Sequence, residues 1–307
     1  MLMANKVMII GTGNVGASIA YCLANQRTSV DELLLTDINE ADAEGEAMDL
    51  KDALTVSPAS MKVRTTDQSY SEAGDCDIVV ITAGIPQKPG ESRLELLSKN
   101  AKILKDMVDK IMESGFDGIF LVVTNPMDVM TYLTWTYSGL PSDQVIGSGT
   151  VLDSARLCHR IGERLGVNPK SVHALQVGEH GDSEFALWSS ANLGGQPLAE
   201  LLDKSARAEI EDYARKEAYE IIDKKGATYY GIGACVARII NSILYDERRV
   251  LPVSSYDDFA DVYNGFPAIV GRHGIVRRLG IKLSEEEGMK LQKSTNILRQ
   301  NIDSVLK

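Results

Sequence analysis

The chain has 307 residues, 44% hydrophobic and 24% charged, enough for one large or two medium domains with proper cores. Thirty-two Lys and Arg against forty-three Asp and Glu leave a formal charge of −11, the wrong sign for neutralising phosphate or anionic lipid, so neither nucleic acid nor membrane is an expected partner. No apolar run reaches the roughly 18–20 residues of a bilayer span. The opening Met1-Leu2-Met3-Ala4-Asn5-Lys6 lacks the features of a signal peptide, so a cytoplasmic location is expected.

In chain order, Lys6–Ile10, Glu32–Thr36, Asp77–Thr82, Ile119–Thr124 and Val145–Ile146 read as strands. Asp77–Thr82 and Ile119–Thr124 are apolar throughout rather than alternating, the pattern of strands covered by helices on both faces. Ser98–Glu113 carries Ile103, Met107, Val108, Ile111 and Met112 at helical spacing, and Pro126 is placed as a first-turn proline of the next helix. The expected fold is therefore α/β, with a doubly wound parallel (Rossmann) sheet in residues 1–147. Residues 148–307 are less regular: helices over Asp153–Leu165, Ala206–Lys225 and Tyr229–Tyr245, a loop-rich stretch Gly178–Gly195, and a final helix. Pro252, Gly265, Pro267, Gly271 and Gly274 punctuate β-branched residues between Arg248 and Arg277, which predicts antiparallel strands. A second, α+β substrate domain follows, with ligands expected in the cleft between the halves. The basic run Arg272–Arg278 reads as a solvated turn.

Cys22, Cys76, Cys158 and Cys235 are scattered without C-x-x-C spacing and read as reduced thiols; His159, His173, His180 and His273 include no H-x-x-x-H pair. No metal is expected.

Val7–Ile10 runs into Gly11-Thr-Gly13-Asn14-Val15-Gly16 and then an amphipathic stretch, so G-x-G-x-x-G sits between a strand and a helix. In that context Gly11 permits a tight turn, Gly13 admits a pyrophosphate, and Gly16 allows the helix to approach the strand. A ligand-free glycine turn is the bland alternative. Against it, Asp37 ends the second strand twenty-one residues after Gly16, where a carboxylate accepts hydrogen bonds from a ribose and repels a 2′-phosphate. NAD is the expected cofactor.

Gly178-Glu-His-Gly-Asp182 places His180 between glycines in a polar loop, a position from which an imidazole can exchange protons near neutral pH, although a lone loop histidine is usually just solvated. Asp153 and Arg156 are three residues apart on one helix face. That spacing fits a structural salt bridge, or a carboxylate orienting His180 beside a guanidinium that clamps a substrate carboxylate.

Over essentially its whole length the chain resembles the NAD-dependent L-lactate dehydrogenases of the lactate and malate dehydrogenase superfamily. The resemblance rests on Gly11–Gly16, Asp37, Thr82–Arg93, Thr124–Asp128, Leu152–Arg156, Gly178–Asp182 and Lys225–Thr228. It implies that His180 donates and accepts the proton, Asp153 orients it, Arg156 holds the substrate carboxylate and Arg93 polarises the reacting carbonyl. It further implies Asn125 and Thr228 against the substrate, and Asn14, Val15, Tyr70, Ala83, Gly84, Ile85, Val123 and Ser148 along the cofactor. Ile85–Arg93 would be a lid. Gln87 would face the substrate side chain where the malate enzymes carry an arginine. A neutral glutamine leaves a second carboxylate unpaired, which favours pyruvate and lactate over oxaloacetate and malate. A broader 2-hydroxyacid dehydrogenase is the alternative, and a catalytically idle nucleotide-binding protein the rival of a different class.

Bacterial relatives activated by fructose 1,6-bisphosphate use a histidine and an arginine. Here His173 fills the first position but Cys158 stands at the second, so weak or absent activation is expected. The resemblance also implies a homotetramer, without the N-terminal arm of the vertebrate members.

Overall fold

The computed structural model describes residues 4–85 and 93–306, with the side chains of Arg93 and Leu94 outside that description. In chain order the first half contains β1 (Lys6–Ile10), α1 (Asn14–Ala24), β2 (Glu32–Thr36), α2 (Glu40–Leu54), β3 (Lys62–Thr65), β4 (Ile78–Ile81), α3 (Arg93–Glu113), β5 (Ile119–Val122), α4 (Met127–Ser138) and β6 (Val145–Gly147). After it come α5 (Val151–Leu165), β7 (Val172–His173), β8 (Gln176–Val177), β9 (Phe185–Ala186), β10 (Asn192–Leu193), β11 (Gln196–Pro197), α6 (Leu198–Leu201), α7 (Lys204–Lys225) and α8 (Tyr230–Leu244). β12 (Arg249–Leu251), β13 (Ser254–Asp257), β14 (Val262–Gly265), β15 (Ala268–Gly271), β16 (Gly274–Arg278) and α9 (Glu285–Leu306) complete the order.

The main sheet runs β14-β13-β6-β5-β4-β1-β2-β3. Strands β1 to β6 are parallel, in the doubly wound order whose reversal between β1 and β4 opens a crevice at their carboxyl ends. Alternate residues of each strand feed opposite cores. Val7, Ile9, Leu33, Leu35, Ile78 and Val80 face α1 and α8, while Met8, Ile10, Leu34, Val79 and Ile81 face α3, α4 and α9. Each such side chain contributes roughly 1.5–3 kcal/mol by leaving water, which explains why these strands are apolar on both faces.

The second half is woven into the first. β13 pairs antiparallel with β6 through Ser254 and Gly147, and β14 extends that edge, so two of the antiparallel strands expected after Arg248 continue the parallel sheet. Helix α8 lies over α1, with Gly233 against Ser18, where a Cβ would come within 2.8 Å of the serine Cβ. Pro126 precedes its helix instead of occupying the first turn: its ψ of 111° is extended and α4 starts at Met127. The basic run is structural rather than a solvated turn. Arg272 donates to Asp77 at 2.6 Å, and Arg278 is tied to Ser255, Asp257 and Asn264. Among the described residues, no helix is long and apolar enough to cross a membrane.

Candidate active site

At the end of β1, Gly11 adopts φ +95°, and a Cβ on it would lie 2.7 Å from the Ala83 amide nitrogen. Gly16 is pressed against the same turn: a Cβ there would fall 1.9 Å from the Gly11 carbonyl oxygen. Gly13, by contrast, has nothing within 4 Å among the described residues. It caps α1 without a side-chain cap, no acidic residue occupies the first turn, and Gly13 and Asn14 are exposed beside half-buried Val15. Unpaired amides with clear space before them fit a pyrophosphate. Asp37, the residue after β2, accepts from the Thr12 amide at 2.7 Å and the Asn39 amide at 3.0 Å, fixing its carboxylate beside that turn.

Ala83–Ile85 follow β4, Val123 and Asn125 follow β5, and Ser148 follows β6, so these positions share the carboxyl edge of neighbouring strands. Asn100 of α3 receives the Ile85 amide at 2.9 Å. Tyr70 is buried in the core beneath α3. An open groove of about 490 Å³ lies between α1 and α2; Thr12, Gly13 and Asn14 of the glycine turn form one wall, and Asp42, Glu46 and Asp49 form the other, which disfavours a phosphate on that side.

His180 lies against Asp153. Its Nδ1 lies 2.8 Å from Asp153 Oδ2, and Arg156 donates to Asp153 Oδ1 at 3.0 Å. Asp153 and Arg156 are buried on α5, whereas the His180 side chain keeps 27% of its surface exposed. The loop carrying it is pinned from three sides. Gly178, at φ +99°, exchanges two backbone hydrogen bonds with Gly265 of β14. Ser294 of α9 accepts from the Glu179 amide at 2.7 Å. Asp128 of α4 accepts from the His180 amide at 2.7 Å and from the Ser254 hydroxyl of β13 at 2.5 Å.

Burial opposes charge on His180, but the charge of Asp153 and its hydrogen bond, reinforced by Glu184 and Asp128, prevail and raise the imidazole to about 9. Burial likewise resists ionisation of Asp153, yet the imidazolium and Arg156 keep its carboxyl below the usual range. Asp128 is pushed up to about 7 by burial, against the bonds it receives from Ser254 and His180. Burial, with the charge of Asp153, also raises Glu184 well above an ordinary glutamate. One atom each of Asp153, His180 and Glu184 lies within 4.8 Å of the others. Arg156 already supplies a cation to this trio, an unfavourable neighbour for a metal ion.

Gln87 lies outside the described residues. Arg93 opens α3, its side chain outside the description. Thr228 is half-buried in the turn between α7 and α8. His173 is exposed on β7, whereas the Cys158 thiol turns inward toward the Val172 and Ala174 carbonyls at 3.5 and 3.3 Å. Sequence reasoning missed the supporting roles of Asp128, Ser254 and Ser294, and the nearness of Glu184. Asp128 closes a motif that carried the resemblance, and that position was the available signal; the others are ordinary polar residues until the fold assembles.

The descriptions "lactate/malate dehydrogenase, NAD binding domain" and "lactate/malate dehydrogenase, alpha/beta C-terminal domain" match residues 5–147 and 150–307. The chain is 49% identical to L-lactate dehydrogenase 1 of Bacillus cereus and 48% identical to L-lactate dehydrogenase 2 of the same species, in each case covering 98% of both chains. Among solved structures, a lactate dehydrogenase from a Medee basin deep-sea metagenome library superposes with a TM-score of 0.96 at 44% identity, covering 100% of both chains. A minor L-lactate dehydrogenase from Enterococcus mundtii gives 0.94 at 43% identity, covering 99% of each. With both halves matched in order over nearly the full length, the chain belongs to the lactate/malate dehydrogenase family.

Proposed function

We propose that this chain is an NAD-dependent L-lactate dehydrogenase that interconverts pyruvate and (S)-lactate. The observation that carries the proposal is the Arg156–Asp153–His180 chain at the carboxyl edge of the sheet, in which the buried Asp153 carboxylate hydrogen-bonds a partly exposed imidazole and raises it to about 9. The glycine turn Gly11–Gly16 and Asp37 would hold the dinucleotide, with Tyr70, Ala83, Gly84, Ile85, Val123, Asn125 and Ser148 further along its course. The cofactor, when bound, would accept the hydride in its oxidised form and supply it in its reduced form.

The remaining work falls to side chains. Arg156 would grip the substrate carboxylate with its planar fork, fixing which face of the 2-oxo carbon is presented. As negative charge gathers on the carbonyl oxygen, protonated His180 gives that oxygen its proton, and Asp153 stabilises the imidazolium and holds its Nδ1 side. Arg93 would add a positive charge that matters most in the transition state, and Asn125 would orient the oxygen. For lactate oxidation the same imidazole must begin neutral. Thr228 would limit side-chain bulk, and Gln87 would leave a second carboxylate without a partner.

We further assign a homotetramer, a cytoplasmic setting, a fermentative role after glycolysis, and little response to fructose 1,6-bisphosphate. NADH oxidation with pyruvate, oxaloacetate and longer 2-oxo acids tests the substrate assignment. Pyruvate should lead, and equal efficiency on oxaloacetate would remove the argument from Gln87. Light scattering on the eluting peak tests the assembly, with a mass four times that of the chain expected.

A further inference from the structure

Behind the His180–Asp153 couple stands a second carboxyl group that the proposed mechanism does not use. Glu184 is 5% exposed, and its Oε1 receives the Gln176 side-chain amide at 3.3 Å. Gln176 is wholly buried, yet its own side-chain oxygen has no hydrogen-bond partner. An ionised Glu184 has no hydrogen to give that oxygen. A protonated Glu184 has one, and a carboxylic acid facing a primary amide can both accept from the nitrogen and donate to the oxygen. From this geometry we infer that Glu184 is an un-ionised carboxylic acid at neutral pH, closing a two-point pair with Gln176 and leaving Asp153 the ionised carboxylate next to His180.

The surrounding charges agree. Burial and the negative charge of Asp153 resist ionisation of Glu184, and they outweigh the favourable pull of His180, Arg156 and, from α7, Arg215. Arg215 is itself shared with Glu211 at 3.7 Å. Glu184 thus acts as a positioning residue whose effect reaches the reaction through His180. While neutral, it braces the couple without adding charge. Once ionised, it places a second negative charge within 4.8 Å of the imidazole and Asp153, and so holds the proton on His180 to higher pH. The kinetic part of this inference rests on the proposed role of His180; the protonation state does not.

The test is infrared spectroscopy of protein labelled with carbon-13 glutamate, with and without Glu184→Gln. The parent should show the carbonyl stretch of an un-ionised glutamic acid at pH 7, fading at alkaline pH, and the variant should lack it. Spectra that coincide at pH 7 would overturn the inference. Should the variant fail to fold, absence of the band from the labelled parent would do the same. In kinetics, Glu184→Gln keeps a neutral two-point partner for Gln176, so the alkaline limb of pyruvate reduction should move down by about one pH unit. An unmoved limb would refute the coupling to His180. Failure of pyruvate to oxidise NADH would instead count against the functional assignment, leaving the infrared result to stand.

Discussion

Replacing Asp153 with asparagine keeps the shape of the His180 partner and removes its charge. The imidazole is lifted from 6.5 to about 9. At 1.36 kcal/mol per pH unit, that is about 3 kcal/mol in favour of the imidazolium, most of it from Asp153. Without the carboxylate, burial is the larger influence and draws the group back to its ordinary value or below it. At pH 7.5 the protonated fraction should then drop from nearly all to under about a tenth. The amide also faces Nδ1 with a choice between nitrogen and oxygen, which disturbs the tautomer. Together these effects should lower kcat/KM for pyruvate by roughly 10²–10³-fold. The sign follows from the direction of the shift. Pyruvate reduction needs the imidazolium, so parent activity persists below about pH 9 and fades above it, whereas the variant should fade from about pH 6.5. Steady-state rates at saturating NADH between pH 6 and pH 10 measure both limbs. An Asp153→Asn enzyme with its alkaline limb still near pH 9 would refute this account of His180.

Gly16→Ala should push α1 off the turn, costing about 1–3 kcal/mol in a thermal melt and weakening NADH binding. Gly13→Ala, with open space around it, should leave the melt unchanged while lowering NADH affinity in a fluorescence titration. A normal melt for the first variant would contradict the close approach. Arg156→Lys replaces a planar fork by a point charge, and the KM for pyruvate should rise by roughly tenfold or more; an unchanged KM would take Arg156 out of carboxylate binding. Fructose 1,6-bisphosphate titrated at limiting pyruvate should scarcely change the rate, because Cys158 offers no cation and its thiol is turned away. A large fall in apparent KM would show that phosphate is met by other residues.

Much of the fold was readable because buried parallel strands must be apolar on both faces. β1, β2, β4, β5 and β6 declared themselves in that way. The strand β3 and the helix α2 did not. Lys62-Val-Arg-Thr65 is a four-residue strand at the end of the sheet with one buried side chain, and α2 buries only Ala43, Ala47 and Leu50 among many acidic residues. Neither carries enough apolar periodicity to stand out. At the site, Asp153 and Arg156 were visible because three residues is one helical turn, and His180 because of the glycines flanking it. The partnership of Asp128 and Ser254 was not visible. They are 126 residues apart and meet only after β13 joins β6.

That added edge has a consequence for how the chain could be divided. Ser254 and Gly265, which help fix the backbone around His180, belong to the sheet that also carries the glycine turn. A cut at residue 147 would strip β6 of its neighbour and deprive the histidine loop of the framework that aims it. Exchanging either portion for that of a distant relative should therefore demand a matched seam along β6 and β13, and the intact polypeptide should melt as one cooperative unit.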